Sequence, residues 1–200
     1  MNSDNISEKS IESFKKISSE SSLKAAKSLS KLTKEETVIN ISHSFIAKPE
    51  LLYSQFGDAE KKVVTVALNI NGSLNGYAML IWSEEEARRL VRHLNKFEEG
   101  DGEFSELDLS ALKEVGNILS AALVDVLSET MGSSSLHSLP AIEIDMLKAT
   151  LDEICAQIAI SSNDALVFAA EVDIKPLSSS LYLVILLDVN STEKLLKKLS

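Results

Sequence analysis

The feature that most constrains this chain is an order of predicted elements that occurs twice. Each half begins with a long helix and continues with a strand, a short segment, two strands joined by a turn, and an amphipathic helix. Aligning Leu127 with Leu29 gives an offset of 98 residues, which rises slightly toward the C-terminus. An internal duplication is the simplest account, with repeats at residues 6–95 and 105–200.

The individual elements are predicted from hydrophobic periodicity and from turn residues. Long helices are expected at residues 6–32 and 107–131, and Gly132 occupies the position where a left-handed residue commonly ends a helix. The remaining predictions are strands at 38–45, 62–70, 77–82, 141–147, 165–174 and 181–188, helices at 84–95, 151–158 and 191–199, and a short segment at 49–55. The pattern predicts one α+β domain over residues 1–200, with pseudo-two-fold symmetry and two long helices packed on a shared antiparallel sheet.

The composition restricts the classes of partner. The chain has 200 residues, of which 44% are hydrophobic, so it can bury one sizeable core. It carries 20 basic and 30 acidic residues, a formal net charge of −10. Such a surface repels phosphate backbones and anionic lipid, which argues against nucleic acid and membrane as partners.

Targeting, metal and disulfide signals are missing from the sequence. The apolar runs are too short to span a bilayer and the first residues do not form a signal region, so a cytoplasmic location is expected. One cysteine cannot form an internal disulfide, and the three histidines lack metal-ligand spacing. No metal site and no cofactor of the chain's own are predicted.

Three polar residues form the pattern that points to chemistry. Ser110, Glu114 and Asn117 stand at positions i, i+4 and i+7 of the second long helix, so they share one face. The opposite face contains the residues expected to pack inward, which are Leu112, Gly116, Leu119, Leu123 and Leu127. Gly116 weakens the helix by about 1 kcal/mol relative to alanine. We therefore expect it to admit another backbone, with the first long helix as the candidate.

The spacing of these residues resembles the motif of the CheC, CheX and FliY chemotaxis phosphatases. That motif is Ser or Asp, three residues, Glu, two residues, Asn, then twenty-two residues and Pro. Here Ser110, Glu114 and Asn117 are followed after twenty-two residues by Pro140, and residues 111–118 are also typical of the family. The duplicated layout is similar to CheC in particular, and we therefore expect no additional C-terminal domain of the FliY kind.

The resemblance implies a protein aspartyl-phosphate phosphatase that acts on a CheY-like response regulator and terminates chemotaxis signalling. It implies that Asn117 positions the attacking water and that Glu114 pairs with the regulator's active-site lysine. Ser110 would support the edge of the contact, and Pro140 would restrain the entry to a strand. The Mg²⁺ would come from the regulator. An amide suits the water-positioning role because it donates and accepts hydrogen bonds without adding negative charge beside the phosphoryl group.

The first half departs from the motif. At the 98-residue offset, the places of Ser110, Glu114, Asn117 and Pro140 are taken, in that order, by Glu12, Lys16, Ser19 and Ser42. A lysine would repel the regulator's lysine, and a serine lacks the amide. We therefore predict that only the second surface is catalytic.

Other interpretations remain open at this point. The chain could be a non-catalytic module that sequesters a phosphorylated regulator or regulates a partner such as the deamidase CheD, because a fold can lose catalytic residues. A flagellar switch component is a third interpretation. An exposed Glu and Asn on a helix, taken alone, are usually only a solvated surface.

Overall fold

A seven-stranded antiparallel sheet forms the centre of the molecule, and helices cover both of its faces. The computed structural model describes residues 8–47, 56, 58–96, 102–159, 165–174 and 177–199. The helices are α1 (Glu8–Thr33), α2 (Glu84–Asn95), α3 (Glu106–Met131), α4 (Leu147–Ala159) and α5 (Val189–Leu199). The strands are β1 (Thr37–Ala47), β2 (Lys62–Gly72), β3 (Gly76–Ser83), β4 (Ser135–His137), β5 (Ala141–Met146), β6 (Ala165–Ile174) and β7 (Leu177–Leu187).

The predicted α+β class is confirmed, and most predicted elements differ from the observed ones by a few residues at their ends. The exception is β4, a three-residue strand that has too few residues to show a period. The short segment predicted at residues 49–55 lies outside the described residues.

The order of strands in the sheet is symmetric about its centre, with the strands of one half matching those of the other. The path through the sheet is β1-β6-β7-β3-β2, and β2 is then paired on its other side by β4 and β5. Exchanging β2 with β6, β3 with β7, and β1 with the β4 and β5 pair leaves this order unchanged apart from its direction. The β3–β7 pair is therefore the centre of the sheet, where the two halves join.

Several backbone features of the two long helices recur at the offset read from the sequence. Helices α1 and α3 have 26 residues each, and their first residues are 98 positions apart. Each is followed by a left-handed residue, Lys34 with φ 59° and Gly132 with φ 69°. The pairing of β1 shifts register between Ile41 and His43, and 98 residues later the break between β4 and β5 contains Pro140. These features support the alignment within the helices.

A hydrogen bond between helix and strand is also repeated. The Ser30 Oγ accepts from the Thr37 backbone N–H at 3.0 Å, and the Ser128 Oγ accepts from the Ser135 N–H at 3.2 Å. Both bonds join residues seven positions apart and are themselves 98 residues apart. The repeat boundaries stay a prediction, because the residues on either side of them are only partly described.

The core lies mainly between the sheet and the helices α1, α2, α3 and α5. The inward face predicted for the second long helix is buried, since Leu112, Leu119, Leu123 and Leu127 are each at most 3% exposed. A smaller cluster on the other face of the sheet packs α4 against β2, β3 and β7. Among the described helices, none has the length and apolar character needed to cross a membrane.

Candidate functional site

The polar face of α3 points away from the core, as predicted. Ser110 and Glu114 are exposed, and Asn117 is half-buried. None of the three side chains forms a hydrogen bond or an ion pair with another described residue. In the described part of the chain nothing therefore occupies these three side chains, and Glu114 and Asn117 lie about one helical turn apart.

The opposite face of α3 presses against the sheet at Gly116. A Cβ built on Gly116 would lie 2.5 Å from the Val66 Cγ1 and 2.9 Å from the Val66 Cβ. Both distances are shorter than van der Waals contact. The prediction that Gly116 admits the first long helix is therefore wrong: the close neighbour is strand β2, because α3 lies directly over the sheet at this point.

The start of α3 is closed by a capping box. The Ser105 Oγ accepts from the Asp108 N–H at 3.2 Å, and the Asp108 carboxylate accepts from the Ser105 N–H at 2.9 Å. The Ser105 hydroxyl also donates to the Asp108 Oδ2 at 2.7 Å. A capping box satisfies backbone donors that the first turn of a helix leaves without partners. It fixes the end of α3 that lies nearest to Ser110.

Helix α2 holds the same region from the side. The Asn95 Nδ2 donates to the Asp108 Oδ1 at 2.8 Å. The Arg88 Nη1 donates to the Gly102 carbonyl at 2.8 Å, and the Arg88 guanidinium lies 4.4 Å from the centre of the Phe104 ring. The backbone on both sides of Ser105 is therefore attached to α2.

These contacts change the acidity of Asp108. Burial raises the pKa of the carboxyl group, but the hydrogen bonds from Ser105 and Asn95 and the positive charge of Arg88 outweigh it. The net effect is a pKa below the ordinary value of an aspartate. Asp108 is thus an ionised acceptor at neutral pH.

The second half of α3 is joined to α1 through Lys24. The Lys24 Nζ lies 3.0 Å from the Glu129 Oε1 and 3.2 Å from the Asp125 Oδ2. The hydrogen bond to Glu129 and the nearby Asp125 raise the pKa of Lys24 above its ordinary value, although partial burial opposes them. Because all three side chains are well exposed, we expect this ion pair to contribute less than about 1 kcal/mol.

Pro140 lies directly before β5, at the break in the strand that pairs with β2. A proline lacks the backbone N–H that a sheet ladder needs, so it fits the interrupted position. The position agrees with the predicted entry to a strand. Its supporting role at the site stays a prediction.

The first-half residues also occupy an outward face, that of α1. Glu12, Lys16 and Ser19 are exposed, and the Lys16 Nζ lies 3.9 Å from the Glu20 Oε1. Ser42 lies in β1, at the register shift. The two helix faces therefore share their backbone frame and differ in side-chain chemistry. In the described part of the chain, no cluster of three His, Cys, Asp or Glu side chains could hold a metal ion.

Sequence reasoning missed the contacts that anchor the start of α3. The pattern of Ser105 followed three residues later by Asp108 is a readable helix-start signal, and it places the start one residue before the predicted residue 107. Arg88 and Asn95 carry no such signal, because their partners come from a different element. Only the packing of α2 beside α3 brings them together.

No family model matches the chain, but two curated proteins are similar to it in sequence. One is CheC1 of Halobacterium salinarum, which is named for CheY-P phosphatase activity; the identity is 25% over 164 residues, covering 80% of this chain and 81% of that protein. The other is the CheY-P phosphatase CheC of Bacillus subtilis, with 25% identity over 136 residues, 64% of this chain and 63% of that protein.

Solved structures share the fold at lower identity. FliY of Thermotoga maritima superposes with a TM-score of 0.75 at 21% identity, over 96% of each chain. The middle domain of FliM from H. pylori gives a TM-score of 0.69 at 16% identity, over 96% of this chain and 99% of that one. CheX of Borrelia burgdorferi, in a complex with CheY, BeF3 and Mg²⁺, gives 0.54 at 19% identity, over 86% and 97%.

The fold alone covers proteins of several kinds, whereas the sequence relatives are CheC proteins and the polar face of α3 has the spacing of the CheC, CheX and FliY motif. These similarities support the CheC/CheX/FliY family for this chain, and in sequence they point to its CheC members.

Proposed function

We propose that this chain accelerates loss of phosphate from the aspartyl phosphate of a CheY-like response regulator. The observation that carries the proposal is the outward-facing pair of Glu114 and Asn117, which have no partner among the described residues and stand on a helix whose start is anchored. The names of the sequence relatives and the CheX complex that contains CheY support this class of substrate.

The proposed division of roles follows from the chemistry of the two side chains. An acyl phosphate is already activated, so a helper protein contributes mainly by placing water for in-line attack. The Asn117 amide can hold that water through one donor and one acceptor without repelling the phosphoryl oxygens. The Glu114 carboxylate pairs with the regulator's lysine and fixes the register of the helix against the regulator.

The metal belongs to the partner in this proposal. The regulator supplies Mg²⁺ for its own phosphoryl group, and this chain contributes no ligand to it. The face of α3 that carries Glu114 and Asn117 is the proposed docking surface for the regulator. Ser110 lies one turn before Glu114, at the edge of this docking surface, and supports the contact. CheD is a further proposed partner, which the chain would regulate.

The test is the decay of a phosphorylated CheY-like regulator from the same organism, measured with catalytic amounts of this protein. We expect Asn117→Ala to lower kcat by about 100-fold or more, because the water loses its orientation. Glu114→Ala should raise KM about tenfold, because the docking ion pair is lost. Asn190→Ala removes an exposed amide from α5 and serves as the matched control.

Three results would decide the matter. Full activity of the Asn117→Ala protein would contradict the assigned role of the amide. A wild-type protein that binds the phosphorylated regulator at stoichiometric concentration and leaves its decay rate unchanged would support the sequestering module instead. Melting temperatures of both variants equal to that of the wild type would show that the losses are local, since neither side chain has a described intramolecular partner.

A further inference from the structure

The two contacts from α2 to the start of α3 form an anchor on the site helix. Asn95 reaches Asp108, two residues before Ser110, and Arg88 reaches Gly102 and Phe104 on the other side of the cap. The Asn95 contact holds the first turn of α3, and the Arg88 contacts hold the segment that leads into it. Together they restrict both the axial position and the rotation of the turn that precedes the docking surface.

Arg88 is itself held rigidly. Its Nη2 and Nε lie 2.6 Å and 3.1 Å from the Glu84 Oε1. The Glu84 Oε2 lies 3.4 Å from the Lys62 Nζ at the start of β2. The hydrogen bond from Arg88 lowers the pKa of Glu84, with Lys62 contributing further, so this carboxylate stays ionised. The anchor therefore connects the central sheet to the start of α3.

The residues of this anchor are not repeated between α5 and α1, where, among the described residues, the Ser13 hydroxyl donates to the Leu199 carbonyl at 3.3 Å. Helices α2 and α5 correspond at an offset of 105, because Ser83 and Asp188 each cap a helix by accepting a backbone N–H three residues later. At that offset, Glu193 stands in the place of Arg88, and Ser200 in the place of Asn95. At the 98-residue offset of the long helices, Ser10 stands in the place of Asp108. The anchoring residues are thus found beside α3, the helix with the intact motif, and are not repeated at the corresponding positions beside α1.

We propose that Asn95 is a positioning residue for the regulator-docking surface, acting through Asp108 on the first turns of α3. This inference rests on the proposed function. Asn95 belongs to the first half and Glu114 to the second, so one half of the molecule orients the site of the other. When the anchor is loosened, α3 is in its docking position for a smaller fraction of the time, and the apparent affinity falls by that fraction.

The proposal predicts that loss of the anchor affects KM and kcat differently. Asn117 lies nine residues beyond Asp108 and next to Gly116, which is held against Val66. Once the regulator is docked, the water-positioning amide should therefore be in place. Loss of the anchor should raise KM for the phosphorylated regulator and change kcat little, which is the reverse of the pattern expected for Asn117→Ala.

The experiment is a double-mutant cycle at this contact. Asn95→Asp places a second carboxylate against Asp108, and we expect KM to rise about tenfold at pH 7.5 with kcat within about twofold of the wild type. Asn95→Asp combined with Asp108→Asn restores a carboxylate–amide pair with the roles exchanged. The double variant should recover most of the lost KM. Glu85→Gln, an exposed change on α2, is the control.

A pH series adds a readout that general destabilisation would not produce. In Asn95→Asp, two adjacent carboxylates share one region, so one of them takes up a proton at a higher pH than usual. The KM ratio of variant to wild type should therefore fall as the pH is lowered from 7.5 toward 5.5. Unchanged KM in Asn95→Asp, or a loss that the double variant does not recover, would overturn the proposal.

Hydrogen exchange separates this inference from the proposed function. If the wild type does not accelerate phosphate loss, the function fails, and the anchor is then judged by exchange of the backbone amides of residues 109–117. Faster exchange confined to this stretch in Asn95→Asp supports the anchor. Exchange identical to that of the wild type overturns it.

Discussion

At the scale of single residues, Asp108 connects the helix cap to the rest of the fold. Its carboxylate accepts hydrogen bonds from Ser105 within the capping box and from Asn95 on α2. These donors hold the pKa of Asp108 below its ordinary value against the opposing effect of burial. A carboxylate near a helix N-terminus also interacts favourably with the helix dipole. The charge of this one side chain therefore contributes to the stability of the site helix.

The acid response of the protein should reveal this contribution. Because the folded-state pKa of Asp108 is lower than the unfolded-state value of about 3.9, its ionised form stabilises the fold above that pH. The stabilisation is lost as the pH falls through the folded-state pKa. We expect Asp108→Asn to lower the free energy of unfolding by about 1 kcal/mol at pH 6, and by clearly less at pH 3. Urea unfolding at both pH values measures the difference.

The control for this measurement is Glu106→Gln, which removes an exposed acid from the same first turn. Its effect should be a few tenths of a kcal/mol at pH 6, because it lacks the hydrogen bonds of Asp108. An Asp108→Asn effect of equal size at both pH values would show that the charge of Asp108 contributes nothing.

At the scale of elements, the contact between α3 and β2 depends on the missing side chain at Gly116. The neighbouring Val66 is fully buried, and its Cβ is attached directly to the strand backbone, so it cannot move aside easily. A glycine in the middle of a helix costs about 1 kcal/mol relative to alanine. Glycine is nevertheless required here, because α3 approaches the sheet closely at the level of Asn117 and a Cβ would clash with Val66.

This packing predicts that Gly116→Ala has opposite effects on the free energy of unfolding in two backgrounds. In the wild-type background, Gly116→Ala should destabilise the protein by about 1–2 kcal/mol, because overpacking outweighs the gain in helix propensity. In a Val66→Ala background the same substitution should be neutral or stabilising by up to about 1 kcal/mol, because the space has been opened. Urea unfolding of the four proteins measures this, and a destabilisation of equal size in both backgrounds would contradict it.

At the scale of the whole molecule, the long helices α1 and α3 have similar backbones and present different side chains on their outward faces. The long helices have the same length, end in the same left-handed conformation and make the same serine hydrogen bond to the next strand. One outward face has Glu114 and Asn117, and the other has Lys16 and Ser19. The proposed activity thus differs between the halves through side chains, while the backbone is shared.

A transfer of the motif tests this view. In the inactive Asn117→Ala background, Lys16→Glu with Ser19→Asn should restore phosphate loss to on the order of a tenth of the wild-type kcat/KM, because the frame is retained but the α2 anchor is not. The new Glu faces Glu20 four residues on, which costs only about 0.2–0.5 kcal/mol. Ser19→Asn alone is the control and should restore nothing. Activity no higher than background in the combined variant would show that side chains alone do not account for the difference in activity between the outward faces of α1 and α3.

The sequence by itself determined the class of fold, the order of elements and the outward direction of the motif, because these follow from hydrophobic periods and helix-ending residues along the chain. The period of 3.6 placed Leu112 and Leu123 inside and Glu114 outside, and the structure agrees. The 98-residue offset came from local similarity and was matched by the cap at Gly132. Local patterns are sufficient for such features because each depends on near neighbours in the chain.

Tertiary structure alone decided which surfaces meet. The neighbour of Gly116 is β2 rather than α1, the three-residue β4 exists because β2 offers it hydrogen-bonding partners, and Asn95 finds Asp108 across two helices. Each of these depends on how close two distant segments come in space. Such distances result from the packing of the whole core, and a single sequence carries no local signal for them.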